Sequence, residues 1–185
     1  MPRHPPDPET LRRCLEGDQQ AWRALVDHYA GFVYTLARRC GLDETACDDV
    51  AQVVFAILVR KLGTVQSESS LAAWLATTTR REAWRLKRRL SRLRNREMPL
   101  ETEMPDAQVF AQDFELRQMV HWGLDRLDPR CRELLRRLYL SGEPQDYETV
   151  AEALGLAVGS VGPIRQRCLA KLADHLRGLP GFSDS

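Results

Sequence analysis

The sequence lacks the features that mark exported, membrane-bound and metal-binding proteins. Its first residues, MPRHPPDPE, contain no apolar core of the kind found in signal peptides, and no run of about 18 apolar residues is present. The five cysteines and four histidines are scattered, without the close pairs that usually bind metals. We therefore expect no membrane insertion, no metal site and no cofactor. The cysteines are expected to be buried free thiols in a reducing cytoplasm.

Catalytic motifs and strand patterns are also missing. The chain has no Gly-rich phosphate loop, no G-x-S-x-G and no H-E-x-x-H, so we expect no enzymatic activity. Apolar residues recur at helical spacing through most of the sequence, which predicts an all-α protein. The predicted helices are 8–16, 19–40, 44–62, 69–94, 108–127, 129–141, 146–154 and 160–176. Asp18, Asp43 and Asp128 can cap helices, and Gly41 and Gly63 can end them.

Charge is strongly segregated along the chain although the net charge is only +1. Residues 80–96 contain nine basic side chains, whereas residues 97–116 contain six acids and no base. This boundary predicts two small helical bundles, residues 1–95 and 117–178, joined by an acidic linker at 96–116 and followed by a tail at 179–185.

The second bundle has the pattern of a helix-turn-helix. A short acidic helix stops at Gly155, and after a turn a basic helix follows, which in this motif enters the major groove. Proline is tolerated only in the first helical turn, so Pro163 predicts that the basic helix either begins at Ser160 or is distorted at Gly162-Pro163. Its outward side chains are then Ser160, Pro163, Gln166, Arg167 and Lys171, with Val161, Ile164, Cys168 and Leu172 facing inward.

Two helices of the first bundle carry further candidate surfaces. In the third helix, a polar face of Asp48, Asp49 and Gln52 precedes the seven apolar residues 53–59, so this helix is either a fully covered core helix or has one side that binds a partner. The next helix has Trp74 at a core position and then an arginine-rich stretch around Trp84. Cations with an aromatic ring are typical of single-stranded DNA binding, although a solvated basic face is the simpler alternative.

Together these segments resemble bacterial RNA polymerase sigma factors of the extracytoplasmic-function group, over residues 8–95 and 117–176. The family's D-x-x-Q-x-x-F pattern is present at residues 49–55, and its A-W-L-x-T motif at residues 73–77, followed by the arginine-rich helix. An L-x-x-R-x-R-E-L-L-like helix is present at residues 127–135, and E-x-x-A-E-A-L-G-x-x-x-G-S-V at residues 148–161. The order and spacing of the four motifs carry the resemblance.

The resemblance implies a non-catalytic subunit that binds core RNA polymerase and directs promoter-specific initiation from the −10 and −35 elements. Docking on the clamp helices of the largest subunit would use Asp48, Asp49, Gln52, Val53, Phe55 and Ala56. Melting and recognition of the −10 element would use Gln66, Ser67, Ser69, Thr77, Arg80, Arg81, Trp84, Arg85 and Arg88. Contacts to the −35 element would use Arg132, Ser160, Pro163, Gln166, Arg167 and Lys171.

The resemblance also implies further partners and leaves alternatives open. It predicts that the polymerase flap is a second contact and that an anti-sigma factor holds the protein inactive. We expect no built-in regulatory domain after Ser185. A stand-alone helix-turn-helix regulator would explain the second bundle and would bind a palindromic site as a dimer. A small helical enzyme with a Cys or His site is the third alternative.

Overall fold

The computed structural model describes residues 8–65, 68–93, 104–142, 145–177 and 179, and in this part of the chain there is no β-strand. The all-α prediction is confirmed, and each predicted helix is present with its ends within two residues. The helices are α1 (Pro8–Leu15), α2 (Gln19–Arg39), α3 (Glu44–Lys61), α4 (Glu68–Leu93), α5 (Ala107–Arg126), α6 (Pro129–Tyr139), α7 (Tyr147–Leu154) and α8 (Val158–Leu176), with a short 3₁₀ turn at Leu62–Thr64.

Aspartate side chains start several of these helices. Asp18 accepts hydrogen bonds from the backbone N–H groups of Gln20 and Ala21, at 2.8 and 3.2 Å. Asp43 accepts from Ala46 N at 2.9 Å, so the predicted caps of α2 and α3 are confirmed. Such caps satisfy N–H groups that have no partner within the helix. At the other end of α2, Gly41 has φ +80°, a conformation that glycine adopts without strain.

The chain divides into two compact units, Met1–Gln118 and Met119–Ser185. In the first unit, α2, α3 and α4 pack on one another and bury apolar residues at helical spacing. Leu25, Val33 and Leu36 of α2 meet Val50, Val54 and Leu58 of α3 and Leu71 and Leu75 of α4. Trp74 is half-buried against this core, as its position in the pattern predicted.

The start of α5 belongs to the first unit, which differs from the predicted linker at 96–116. Phe110 and Phe114 pack on α2, with their rings 5.1 and 4.5 Å from the ring of Phe32. Ala107 and Ala111 are buried beneath them. Residues 107–116 are therefore an ordered helical part of the first unit, because their apolar side chains cover a face of α2 that a free linker would leave exposed.

In the second unit, α6, α7 and α8 pack around Leu134, Leu135, Val150 and Val161, all of them almost fully buried. A turn of three residues joins α7 to α8. Gly155 opens it in the left-handed conformation, φ +61°, and Leu156 N donates to Ala151 O at 2.8 Å. This pattern is the Schellman motif that commonly ends helices.

Of the two alternatives predicted for the last helix, the start at Ser160 is wrong by two residues. The helix begins at Val158, and Ser160 N already donates to Ala157 O at 2.8 Å. Pro163 is consequently the sixth residue of α8, where its ring leaves the carbonyl of Gly159 without the usual i+4 donor. The turn after Gly155 is so short that the chain enters the helix before the proline.

The prediction that all five cysteines are free thiols is also wrong. Cys131 of α6 and Cys168 of α8 form a disulfide, with their Cα atoms 5.3 Å apart, whereas Cys14, Cys40 and Cys47 are free and buried. The two bonded residues are 37 positions apart in the sequence. Only the packing of α6 on α8 brings them within the 4.4–6.8 Å that disulfides require.

The caps make the second unit sensitive to acid. Hydrogen bonds from Cys131 N and then from Lys171 hold the pKa of Asp128 below its usual range, and bonds from Thr149 do the same for the pKa of Asp146. Since both carboxylates ionise more easily in the folded state, the stability they add is present above the ordinary aspartate pKa of 3.8. It is lost as the pH falls through the lowered values.

We expect Asp128→Ala to lower the melting temperature of the second unit by about 4–8 °C at pH 7, since a lost N-cap costs about 1 kcal/mol. Asp128→Asn, which keeps a capping oxygen but not the charge, should lose less at pH 7 and show a weaker dependence on acid. Thermal unfolding followed by circular dichroism at pH 7 and pH 3 measures both. Equal melting temperatures for wild type and Asp128→Ala at pH 7 would contradict the capping role.

Candidate functional site

An exposed patch on α3 combines acid, amide and apolar side chains. We call it the α3 patch, and it consists of Asp48, Asp49, Gln52, Val53 and Ala56. All five are exposed, and the side chain of Val53 retains 45% of its accessible surface. Among the described residues neither Asp48 nor Asp49 forms a salt bridge. The patch therefore combines exposed carboxylates with exposed apolar surface.

Of the seven apolar residues 53–59, only part faces the core. Val54 and Leu58 are fully buried, whereas Val53 and Val59 are exposed. Phe55 is half-buried against the core of the first unit, so its ring supports α3 from within. Of the two interpretations of this helix, the structure shows the one in which a side remains uncovered. Apolar side chains left in water beside acids are typical of a protein-binding surface.

A shallow open groove of about 410 Å³ separates α3 from α4. Its lining residues are Asp49, Val50, Gln52, Val53, Glu82, Arg85, Leu86 and Arg89. The α3 patch and the basic residues of α4 thus border the same depression. Arg89 was not among the predicted site residues, although its position one turn after Arg85 could have indicated it.

Six predicted residues of α4 share one exposed face. We call it the α4 face, and it consists of Thr77, Arg80, Arg81, Trp84, Arg85 and Arg88. Trp84 retains 41% of its accessible surface, and the guanidinium of Arg88 lies over its ring, 4.5 Å from the ring centroid. An exposed indole with a stacked guanidinium offers a flat surface and positive charge to an unstacked base.

The half-buried Glu82 orients part of the α4 face. Its carboxylate accepts hydrogen bonds from Arg81 at 3.1 Å and from Arg85 at 2.8 Å. Exposed ion pairs of this kind add little stability, so their main effect is to fix where the guanidinium groups point. Thr77 is exposed at the start of the face, whereas Thr78 and Thr79 are buried.

One basic residue of α4 serves the fold. Lys87 Nζ donates to the carbonyl of Cys40 at 2.9 Å, and so satisfies an acceptor at the end of α2. The predicted residues Gln66 and Ser67 lie outside the described residues, and Ser69 lies in α4 with its side chain outside the described part. Their predicted roles stay predictions.

A third exposed surface lies on α8. We call it the α8 face, and it consists of Ser160, Pro163, Gln166 and Arg167, all exposed. The predicted residue Lys171 is also exposed, but its Nζ donates to Asp128 at 2.9 Å. The predicted inward residues Val161 and Cys168 are fully buried. Arginine and short polar side chains near the start of a helix can reach the edges of bases.

Two arginines of the second unit have unexpected positions. The guanidinium of Arg132 donates to the carbonyls of Leu124 and Leu127, at 3.0 and 3.1 Å, and to that of Asp125. It thereby closes the end of α5, and the structure does not place it on the α8 face. Arg165, absent from the predicted set, lies half-buried over the Tyr147 ring at 5.8 Å.

Metal-ligand clusters and membrane-spanning helices are both absent from the described part of the chain. No three His, Cys, Asp or Glu side chains among them lie close enough to hold a metal ion. No helix in that part of the chain is long and apolar enough to cross a membrane.

The family model that matches this chain lies within the first unit, whereas a similar solved structure spans nearly the whole chain. Residues 25–93 match the family model of sigma-70 region 2, a segment that contains the α3 patch and the α4 face. No curated protein matches the chain. A chain of the solved structure described as "Structure of CnrH in complex with the cytosolic domain of CnrY" is similar, with 24% identity and a TM-score of 0.41, over 95% of this chain and 99% of that one.

Proposed function

We propose that this chain, whose residues 25–93 belong to the sigma-70 region 2 family, is an RNA polymerase sigma factor of the extracytoplasmic-function group. It binds core polymerase and directs initiation by recognising the −10 and −35 promoter elements, with no catalytic step of its own. The observation that carries the proposal is that the family match spans both the α3 patch and the α4 face. One small domain thus offers a protein-binding surface beside a DNA-binding surface.

The α3 patch is the proposed docking surface for the clamp helices of the polymerase largest subunit. Asp48 and Asp49 offer negative charge, and the exposed side chain of Val53 offers apolar area on the same surface. Charge complementarity steers a basic partner into register, while the apolar contact supplies affinity once water is excluded. Phe55 supports the patch from the core side, and the flap is the proposed second contact on the polymerase.

The α4 face is the proposed −10 surface. Arg80, Arg81 and Arg85 can neutralise phosphates of a melted strand, while the Trp84 ring with its stacked Arg88 can receive an unstacked base. Bases must leave the duplex stack before their edges can be read in this way. The α4 face would therefore bind the −10 element as single-stranded DNA.

In the second unit, α7, its turn and α8 are proposed to form a helix-turn-helix that reads the −35 element. The α8 face would enter the major groove, with Gln166 and Arg167 near base edges and Ser160 near the backbone. Lys171 would contact phosphate only after leaving Asp128.

Arg167 should matter more for DNA binding than Lys171. Arg167→Ala removes an exposed guanidinium and should weaken binding to −35 duplex by about tenfold, within the 1–3 kcal/mol of one good base contact. Lys171→Ala should cost about threefold or less, because the ammonium already has a carboxylate partner. Fluorescence anisotropy with a labelled promoter duplex measures both. A larger loss for Lys171→Ala would contradict this ranking.

The inactive protein is proposed to be covered by an anti-sigma factor in the bacterial cytoplasm. The surface to be covered includes the exposed Val53 and Val59 and the cations of the α4 face. A partner with an apolar helix and acidic flanks would match both features.

The proposal is tested by mixing the purified chain with core RNA polymerase. Co-elution in size-exclusion chromatography, and defined start sites when the mixture transcribes fragmented genomic DNA, are the expected results. If the chain does not co-elute, and alone shifts palindromic duplex DNA as a dimer, it is a stand-alone regulator and the proposal is wrong.

A further inference from the structure

The disulfide of the second unit joins the proposed recognition helix to its support. Cys131 lies in the first turn of α6, and Cys168 lies in the middle of α8. Their side chains are 6% and 0% exposed, so the bond is in the core of the unit. It is the one covalent link between helices in the described part of the chain.

The bond lies directly behind the α8 face. Cys168 is adjacent in sequence to Arg167, which points to solvent, and is two residues from the exposed Gln166. Val161 and Leu176 anchor the two ends of α8, and Cys168 anchors its middle. A change at this anchor therefore acts on the part of α8 that carries the proposed base contacts.

We propose that the Cys131–Cys168 disulfide is a reversible redox switch for −35 recognition, and that the oxidised form binds promoter DNA more tightly than the dithiol form. This inference rests on the proposed function of the second unit. A protein that works with RNA polymerase works where thiols are kept reduced, and a disulfide formed in such a compartment is usually a sensing or catalytic one.

The oxidised form binds DNA more tightly because the disulfide restrains α8. The oxidised form holds α8 on α6 through a covalent bond and through the ion pair of Lys171 with Asp128 at 2.9 Å. The dithiol form keeps the ion pair and the apolar contacts, so α8 stays folded but samples more positions. Since DNA binding must order the helix again, the dithiol form binds more weakly.

The chemistry is thiol–disulfide exchange with a small disulfide such as oxidised glutathione. The Cys131 thiolate, the more exposed of the two, attacks one glutathione sulfur and releases a glutathione thiolate. The Cys168 thiolate then attacks Cys131 Sγ in the mixed disulfide and releases the second one. The protein loses two electrons and two protons, and glutathione disulfide gains them as two thiols. Because both sulfurs are buried, the exchange proceeds through local opening of α8.

The thiols of the first unit differ from this pair in their bonding. Cys14, Cys40 and Cys47 are free in the structure, whereas Cys131 and Cys168 are bonded to each other. The redox response should therefore be confined to the second unit.

The test uses the full chain equilibrated in buffers of different ratios of reduced to oxidised glutathione. Differential alkylation followed by mass spectrometry gives the fraction of the Cys131–Cys168 bond at each ratio. The same samples are assayed for binding to a labelled duplex, taken from the strongest start site that the chain and core polymerase use on genomic DNA. We expect binding to weaken by about tenfold on reduction, within the usual range of coupling between sites.

Two variants complete the test. Cys131→Ala/Cys168→Ala should bind like the reduced wild type at every ratio, whereas Cys14→Ala should keep the full response. Co-elution with core polymerase should be the same in both redox states, since docking uses the first unit. If the Cys131→Ala/Cys168→Ala variant does not fold, the glutathione titration of the wild-type chain tests the redox switch by itself.

The outcomes separate the two proposals. If neither redox form yields a start site with core polymerase, the proposed function is wrong. If start sites appear but oxidised and reduced chains bind the duplex equally, or the oxidised chain binds more weakly, the redox switch is wrong. Failure of the bond to form at any glutathione ratio would overturn the switch as well.

Discussion

Asp49→Arg combined with Val53→Asp will weaken binding to core RNA polymerase by about 100-fold, which corresponds to about 2.7 kcal/mol. The first change replaces attraction by repulsion towards a basic surface, and the second replaces an exposed apolar side chain of the α3 patch by a charge. Both side chains are exposed, so the fold of the first unit should survive. Biolayer interferometry with immobilised core polymerase measures the dissociation constant.

Asp27→Arg is the matched control, because it makes the same charge reversal at an exposed residue of α2 in the same unit. It should leave the dissociation constant within about threefold of wild type, since a peripheral charge acts mainly through screened long-range forces. If both variants weaken binding equally, the effect is one of net charge, and the α3 patch is not the docking surface.

Trp84→Ala will slow promoter opening by about 10- to 100-fold, because base–aromatic stacking is worth about 1–3 kcal/mol per base. The change removes the exposed ring and also the partner of Arg88, whose guanidinium lies 4.5 Å above it. Trp84→Phe keeps a ring and should recover most of the rate. Permanganate reactivity of thymines in the −10 element, followed over time, measures opening.

Arg92→Ala is the control for charge on the same helix. Arg92 is exposed in the last turn of α4, two turns beyond Trp84, and its loss should reduce the salt dependence of binding by about one phosphate contact without a specific effect on opening. Wild-type opening kinetics in Trp84→Ala would show that another group receives the base.

The helices that carry a clear apolar stripe are the ones whose bounds were predicted most accurately from the sequence. α4 was predicted at 69–94 and is Glu68–Leu93, because Leu71 and Leu75 mark one face and the arginines the other. The exposed faces of α3, α4 and α8 follow from the same periodicity. Spacing alone determines which side chains share a side of a helix.

Features that depend on packing between helices could not be predicted in this way. Lys87 and Arg132 look like members of a basic surface in the sequence, yet both donate to backbone carbonyls of a neighbouring helix. The disulfide joins residues 37 positions apart, which only the packing of α6 on α8 brings together. α8 begins early because the turn that joins it to α7 is short. The hydrogen bonds at Gly155 and Leu156 leave only three residues between the two helices.

The aspartate caps explain how a nearly neutral chain can present a cationic face. Asp18, Asp43, Asp106, Asp128 and Asp146 each accept from backbone N–H groups at the start of a helix. Their charges thus compensate the positive ends of helix dipoles. In the net charge of +1, these aspartates cancel arginines of α4. Among the described residues, however, the aspartates form no ion pair with those arginines. A polyanion approaching that helix therefore meets a local field much stronger than the whole-molecule charge suggests.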